Sequence, residues 1–271
     1  MKNALTIAGS DSSGGAGIQA DLKTFSAHGV FGMSVITAVT AQNTQGVSAV
    51  QDILPEIILR QIEAVFEDIR VDAVKIGMAS RIETIEAIAE GLKKYNPQIV
   101  VLDPVMVSKS GYHLLDPSAK DALIERLIPR ATLVTPNIPE AEAIAGIRIR
   151  NPQDMEIAAR KIFSMGPRQV LIKGGHLDDA AVDVLFDGTR FKRFTAQRLQ
   201  MKNTHGTGCT LSSAIASNLA RGDGIAPAVE KAKSYVTNAI AHGFSIGKGV
   251  GPVHHFYELY QKAGCLNEYE R

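Results

Sequence analysis

Cysteine is scarce in this sequence: two in 271 residues, Cys209 and Cys265. That excludes a disulfide framework and fits a reducing compartment. No dense run of Lys or Arg occurs, and the formal net charge is +1. A nucleic-acid surface would usually need such a patch, so no nucleic-acid partner is expected. Long apolar runs are missing as well. The opening run, Ala4-Leu5-Thr6-Ile7-Ala8, is too short for a signal peptide or a membrane span. No later run reaches spanning length, so no membrane partner is expected and the protein reads as cytoplasmic. Linkers rich in Pro, Gly or Ser are absent, and so are internal repeats. One domain over residues 1–271 is the simplest organisation.

What is present is a rhythm. Hydrophobic residues make up 45% of the chain and charged residues 21%, near the globular norm. Short apolar runs read as buried strands at Ala4–Ala8, Ser34–Val39, Ala73–Ile76, Ile99–Leu102, Ala131–Thr135 and Val170–Ile172. Amphipathic stretches lie between them. Ile18, Leu22 and Phe25 share one helix face; Ile58, Ile62, Val65, Phe66 and Ile69 share another, after Pro55. Ile82, Ile85, Ala89 and Leu92 repeat the pattern. Strands apolar on both sides, each followed by a helix, predict an α/β fold with a mostly parallel sheet and helices on both faces. Later, Val182–Phe186 and Thr189–Phe194 flank Asp187-Gly188, a hairpin signal. Two helical segments follow, at about 208–221 and 225–245.

Ligands of such sheets bind beyond the carboxyl ends of the strands. The segments expected at that edge are polar or glycine-rich: 9–17, 41–44, Gly77-Met78, 103–106, 136–140, Lys173-Gly174-Gly175-His176 and 204–209. The first glycine loop lacks dinucleotide spacing and has no acidic partner after the second strand. Nor is it a Walker loop, because no Lys-Ser or Lys-Thr follows the glycines. It is either a tight turn for helix–strand packing or a close backbone approach to a small ligand, with Asp21 one turn inside the helix. Gly206-Thr207-Gly208-Cys209 at a helix start would expose amides to an anion and lower the pKa of Cys209. The alternative is a glycine cap with Cys209 as a small buried hydrophobe.

Lys173, ending a strand, either reaches phosphate oxygens or snorkels at the sheet edge. Asn137 and Glu140 either position a hydrated magnesium ion or form a capping box. Asp103, at a strand end, needs a cation or donors if buried. His254-His255 has no evident third ligand for a metal, Lys248 reads equally as loop or ATP contact, and Cys265 as inert.

Three segments together carry a resemblance. They are 8–21 (Ala-Gly-Ser-Asp-Ser-Ser-Gly-Gly-Ala-Gly-Ile-Gln-Ala-Asp), Lys75-Ile76-Gly77-Met78, and 203–210 (Asn-Thr-His-Gly-Thr-Gly-Cys-Thr). With them the chain resembles, from Ala4 to about Phe256, the hydroxymethylpyrimidine/phosphomethylpyrimidine kinases of thiamine biosynthesis, in the ribokinase-like superfamily. The resemblance implies two consecutive phosphorylations of 4-amino-5-hydroxymethyl-2-methylpyrimidine, first to the monophosphate and then to the pyrophosphate, using ATP and Mg²⁺. It implies a homodimer. It places Asp21 and Gln42 on the pyrimidine, with Gly9, Ala16, Met78 and Val105 lining its pocket. Lys173, Thr207, Asn137 and Glu140 would serve ATP, and Asp103 with Glu140 the metal through water. Gly206 and Gly208 would form the anion hole, with Cys209 in the catalytic position, where many ribokinase-like sugar kinases carry Asp. A pyridoxine or pyridoxal kinase would share the fold and the Cys loop; Gln42 favours the aminopyrimidine. A silent ligand-binding protein is disfavoured by Lys173, Asn137, Glu140 and Cys209 together, and a nicotinamide oxidoreductase by the missing ribose carboxylate.

Overall fold

The computed structural model describes residues 1–108, 111–175, 181–196 and 199–266. The chain runs β1 (Lys2–Asp11), α1 (Gly17–Ala27), β2 (Val30–Asn43), β3 (Gly46–Asp52), α2 (Pro55–Asp68), β4 (Ala73–Ile76), α3 (Ile82–Tyr95) and β5 (Val100–Leu102). A broken helical stretch over 117–130 includes α4 (Lys120–Ala122). There follow β6 (Leu133–Val134), α5 (Ile138–Ala145), α6 (Pro152–Phe163), β7 (Gln169–Ile172), β8 (Ala181–Phe186), β9 (Phe191–Ala196), α7 (Thr207–Ala220), α8 (Ile225–Ala241) and α9 (Tyr257–Lys262).

Among the described residues the strands form one nine-stranded sheet ordered β3-β2-β1-β4-β5-β6-β7-β8-β9. Pairing is parallel from β2 to β7 and antiparallel at both ends. The strand periodicity of two divides the side chains between two cores. Leu5, Leu102, Val134 and Ile172 face one cluster, with Ile58, Ile62, Ile85, Ile88 and Ile162 from α2, α3 and α6. Ala4, Val101, Leu133 and Leu171 face the other, with Phe25, Leu211, Ile215, Val229 and Val236 from α1, α7 and α8. This is the ribokinase-like α/β arrangement that the resemblance implies.

Two strands differ from expectation. β2 runs on to Asn43, and β3 pairs antiparallel with its far half, with an irregularity between Ala41 and Gln42. Gln42 therefore sits on a strand and not in a loop. β3 has no buried residue, so it carries no buried alternation for the sequence to reveal. At the other end, the Asp187-Gly188 turn forms as expected. Asp187 Oδ1 accepts from the N–H groups of Thr189 and Arg190. The strand after it begins at Phe191.

The sheet order also marks where a ligand belongs. From β1 the chain passes to β2 on one side, then returns beyond β1 to β4 on the other. A crevice opens at such a reversal, beyond the carboxyl ends of β1 and β4. The loops beginning at Gly9 and Gly77 leave the sheet there.

Candidate active site

The glycine loop after β1 is organised by one carboxylate. Asp11 is buried, at 2% exposure. Its Oδ1 accepts from Ser13 N–H at 2.8 Å and Ser13 Oγ at 2.7 Å. Its Oδ2 accepts from Gly15 N–H at 3.1 Å, Ala16 N–H at 2.8 Å and His205 Nε2 at 2.9 Å. Burial alone would raise this carboxyl, but the bonds from His205, Ser13 and Ala16 outweigh it and hold it down at about 2. The loop amides are thus engaged by Asp11 itself. What the loop can offer a ligand is its carbonyls, the apolar Ala16 and the space beside Gly9, where a Cβ would press on Met78 Sδ at 2.9 Å.

The second loop docks on the first. His205 ties it to Asp11, and Gly206 makes the approach possible. Gly206 has φ +80, and a Cβ there would overlap the Gly15 carbonyl oxygen. Gly206 is the N-cap of α7, so Gly208 and Cys209 fall in the first turn. Thr207 turns its hydroxyl to Thr204 O at 2.7 Å and its N–H to the same oxygen. Among the described residues, the N–H groups of Gly208 and Cys209 have no hydrogen-bond partner. Two unsatisfied amides at the positive end of a 14-residue helix form an anion-binding arrangement.

Of the two readings of Cys209, a thiol of lowered pKa and a small buried hydrophobe, the direction of its pKa favours the second. Burial pushes its pKa up to about 11, and Asp21 and Asp103 add to the rise; Lys75 and the Gly17 amide pull the other way.

The Asp21 side chain is fully buried, and both oxygens are occupied. Lys75 Nζ lies at 2.9 and 2.8 Å, Thr6 Oγ1 at 2.6 Å and Ser213 Oγ at 2.7 Å. Both oxygens are engaged in an ion pair locked between β4, β1, α1 and α7. Lys75 hides in an apolar strand, on the side that faces α1 and α7. Burial would lower its pKa, but Asp21 holds the ammonium above its ordinary range. The pair sits within electrostatic reach of Cys209.

On the other side of Gly208 stands a second ion pair. Lys173 Nζ donates to Asp103 Oδ1 at 2.6 Å, which also accepts from Thr135 Oγ1 at 3.2 Å. A Cβ on Gly208 would lie 3.6 Å from both Asp103 Oδ2 and Lys173 Nζ, so this pair faces the helix start. Asn137 and Glu140 form the complete capping box of α5. Burial and the Asp103 charge push Glu140 up to about 7 against the pull of Lys173. Asp103 and Glu140 bring two carboxylates together, which suits an ion that keeps most of its waters better than an all-protein cage.

Gln42, on β2, enters the site through His205, with amide nitrogen and ring nitrogen 3.2 Å apart. Met78 is buried and accepts through its carbonyl from Thr37 Oγ1; Val105 is half-buried just past Asp103. Gly9, Ala16, Gln42, Met78, Val105 and Gly206–Cys209 therefore gather at one sheet edge, with Lys173, Asp103, Asn137 and Glu140 beside them. His176 lies outside the described residues. His255 turns Nε2 to Thr210 Oγ1 at 3.0 Å. The stretch around Lys248 packs on the end of β2, where Val250 N–H donates to Thr44 O.

Asp11, His205 and Lys75 fall within the segments that carry the resemblance, but sequence reasoning gave none of them a role of its own. The signal for Asp11 was available: it is a carboxylate at a strand end, which if buried must find donors.

The family model described as phosphomethylpyrimidine kinase matches residues 11–254. A hydroxymethylpyrimidine/phosphomethylpyrimidine kinase of Rhizobium meliloti is 55% identical over 95% of this chain and 98% of its own length. A thiamine biosynthesis bifunctional protein of Geobacter sulfurreducens is 54% identical over 93% of this chain, which spans only 51% of that protein. Among solved structures, the ADP complex of Bacillus subtilis pyridoxal kinase superposes with a TM-score of 0.88 at 41% identity, covering 94% of this chain and 98% of that one.

Proposed function

The chain belongs to the phosphomethylpyrimidine kinase family, and on that premise we propose that it transfers the γ-phosphoryl group of ATP to 4-amino-5-hydroxymethyl-2-methylpyrimidine, and then to the resulting monophosphate, in thiamine biosynthesis. The observation that carries this reading is the start of α7. The partnerless amides of Gly208 and Cys209 lie between the residues proposed for the ring and the Lys173–Asp103 pair.

In this reading Gln42 reads the ring edge, and Gly9, Ala16, Met78 and Val105 line its apolar side. Gly206, Thr207 and Gly208 hold the helix start open to the phosphoryl group in flight, whose charge the amides stabilise. Lys173, Asn137 and Glu140 serve the ATP phosphates. Asp103 and Glu140 would hold magnesium through water; bound there, it would neutralise charge on the phosphates. Cys209 sits as a neutral thiol beside the attacking oxygen. Phosphoryl transfer is largely dissociative, so an alcohol needs little base assistance before late in the reaction. A neutral thiol also spares an incoming monophosphate the repulsion a carboxylate would exert. Asp21 acts indirectly, by fixing Lys75 and α7 behind Cys209.

We further propose a single cytoplasmic kinase domain that works as a homodimer. No helix among the described residues is long and apolar enough to cross a membrane. Exposed Val39, Leu54 and Ile57, on and after the β2–β3 ribbon, offer apolar surface for a second copy.

The test is an acceptor panel with Mg-ATP: the hydroxymethylpyrimidine, its monophosphate and pyridoxine, with products identified by mass. Mono- and pyrophosphate of the pyrimidine are expected. Phosphorylation of pyridoxine alone would move the assignment to the pyridoxal kinase branch, which the B. subtilis neighbour keeps in view.

A further inference from the structure

His205 Nε2 is shared by two neighbours, Asp11 Oδ2 at 2.9 Å and the Gln42 amide nitrogen at 3.2 Å. One ring nitrogen carries either a hydrogen or a lone pair. Asp11 is ionised and can only accept, so Nε2 carries the hydrogen. An N–H facing an NH2 group is a clash of two donors. The other end of the same amide lies 3.3 Å from Thr40 Oγ1. Thr40 gives its single hydroxyl hydrogen to Ser10 O at 2.9 Å and so can only accept from Gln42. Both conflicts vanish if the amide is turned over. Oε1 then accepts from His205, and Nε2 donates to Thr40 Oγ1. An amide has nearly the same shape either way, so hydrogen bonding alone decides its sense.

We propose that His205 is a specificity-positioning residue: it locks Gln42 with its carbonyl toward the imidazole, and so dictates which order of donors and acceptors an acceptor ring must present. His205 is able to do this because it cannot turn away. Its exposure is 9%, its ring lies against Gly15, its backbone N–H donates to Gly251 O and its backbone carbonyl accepts from Val253 N–H. It also immediately precedes the N-cap of α7, so the residue that orders the ring contact also anchors the anion-binding turn.

This inference rests on the kinase reading above and specifies its substrate. A 4-aminopyrimidine presents an amino donor beside a ring-nitrogen acceptor. Its 4-oxo analogue presents an acceptor beside an N–H donor, which is the reverse order. A locked amide accepts one order, whereas a freely turning amide accepts both.

The experiment compares kcat/KM for the 4-amino and 4-oxo hydroxymethylpyrimidines in the unaltered protein, His205→Phe, Gln42→Ala and the double variant. The unaltered protein should prefer the amino compound by at least ~100-fold, since a buried hydrogen-bonding site rejects a mismatched pattern strongly. His205→Phe leaves Thr40 as the one group orienting the amide, so it should reduce that preference by about tenfold, and should add nothing in the Gln42→Ala background. Equal losses with both acceptors, and an unchanged ratio, would overturn the proposal. If His205→Phe does not fold, the long-range 1H–15N spectrum of the unaltered protein decides. Hydrogen on His205 Nε2 supports the lock, and a bare Nε2 refutes it. Should neither pyrimidine be phosphorylated at all, the kinase reading fails by itself, and the ring spectrum still decides the tautomer.

Discussion

His205 and Asp11 stand 194 positions apart in the chain and meet at 2.9 Å in the interior. That contact joins the loop after the first strand to the loop before the seventh helix. Asp11 is held at about 2 against an ordinary 3.8. A carboxyl with a lowered folded pKa adds stability above its ordinary pKa and loses it as pH falls through the folded value. Asp11→Asn should therefore cost about 2 kcal/mol near neutrality. The gap from the unaltered protein should narrow between about pH 4 and pH 2. Urea midpoints across that range check this, and a gap independent of pH would refute it.

Cys209 should resist alkylation at neutral pH. Its pKa is raised to about 11, so the reactive thiolate is scarce until the medium is strongly alkaline. In a Cys265→Ser background, the iodoacetamide rate at Cys209 should climb about tenfold per pH unit from pH 8, with no plateau below pH 10. A plateau near neutrality would show a stabilised thiolate.

The two phosphorylations should respond differently to Cys209. Cys209→Ala removes a polar group beside an alcohol and should slow the first step by about tenfold, more than it slows the second. Cys209→Asp places a charge beside an anionic acceptor and near Asp21 and Asp103, and should damage the second step more. Separate kinetics with each acceptor distinguish these outcomes from equal losses.

Lys75 and Asp21 are both fully buried. Removing one partner strands the other's charge, so Lys75→Met should destabilise by about 3–5 kcal/mol. The double variant Lys75→Met with Asp21→Asn should recover part of that loss. Denaturant midpoints test the pair. If Asp21→Asn changed only the acceptor KM and left the midpoint alone, the carboxylate would be reading substrate after all.

Much of this architecture was legible in the residues. The parallel strands showed themselves as apolar runs because both their faces are buried, and the helices by periodic apolar stripes. β3, with no buried residue, leaves no such mark, so the sequence alone puts Gln42 in a loop. Lys75 stands in one of the segments that carry the resemblance, but its role was hidden, because it is a single charge inside an apolar strand and its partner lies 54 positions away. Asp21 was read from its place in the first helix, yet its burial and its partner, not that place, decide what it does. Local reasoning at the helix start leaves two readings of Cys209 open, and burial, which outweighs the nearby Lys75, decides between them. The 204–209 segment, by contrast, was legible. Its glycines occur where a helix begins, and Gly206 is required by contact with the Gly15 backbone.

Gln42 and the α7 amides should serve one bound acceptor. A crystal structure with the 4-aminopyrimidine and a non-transferable ATP analogue tests it directly. The ring should lie between Gln42 and Met78, with its hydroxymethyl oxygen toward Cys209 and the γ-phosphate over the N–H groups of Gly208 and Cys209. A ring bound away from Gln42, or a phosphate that leaves those amides untouched, would contradict the account.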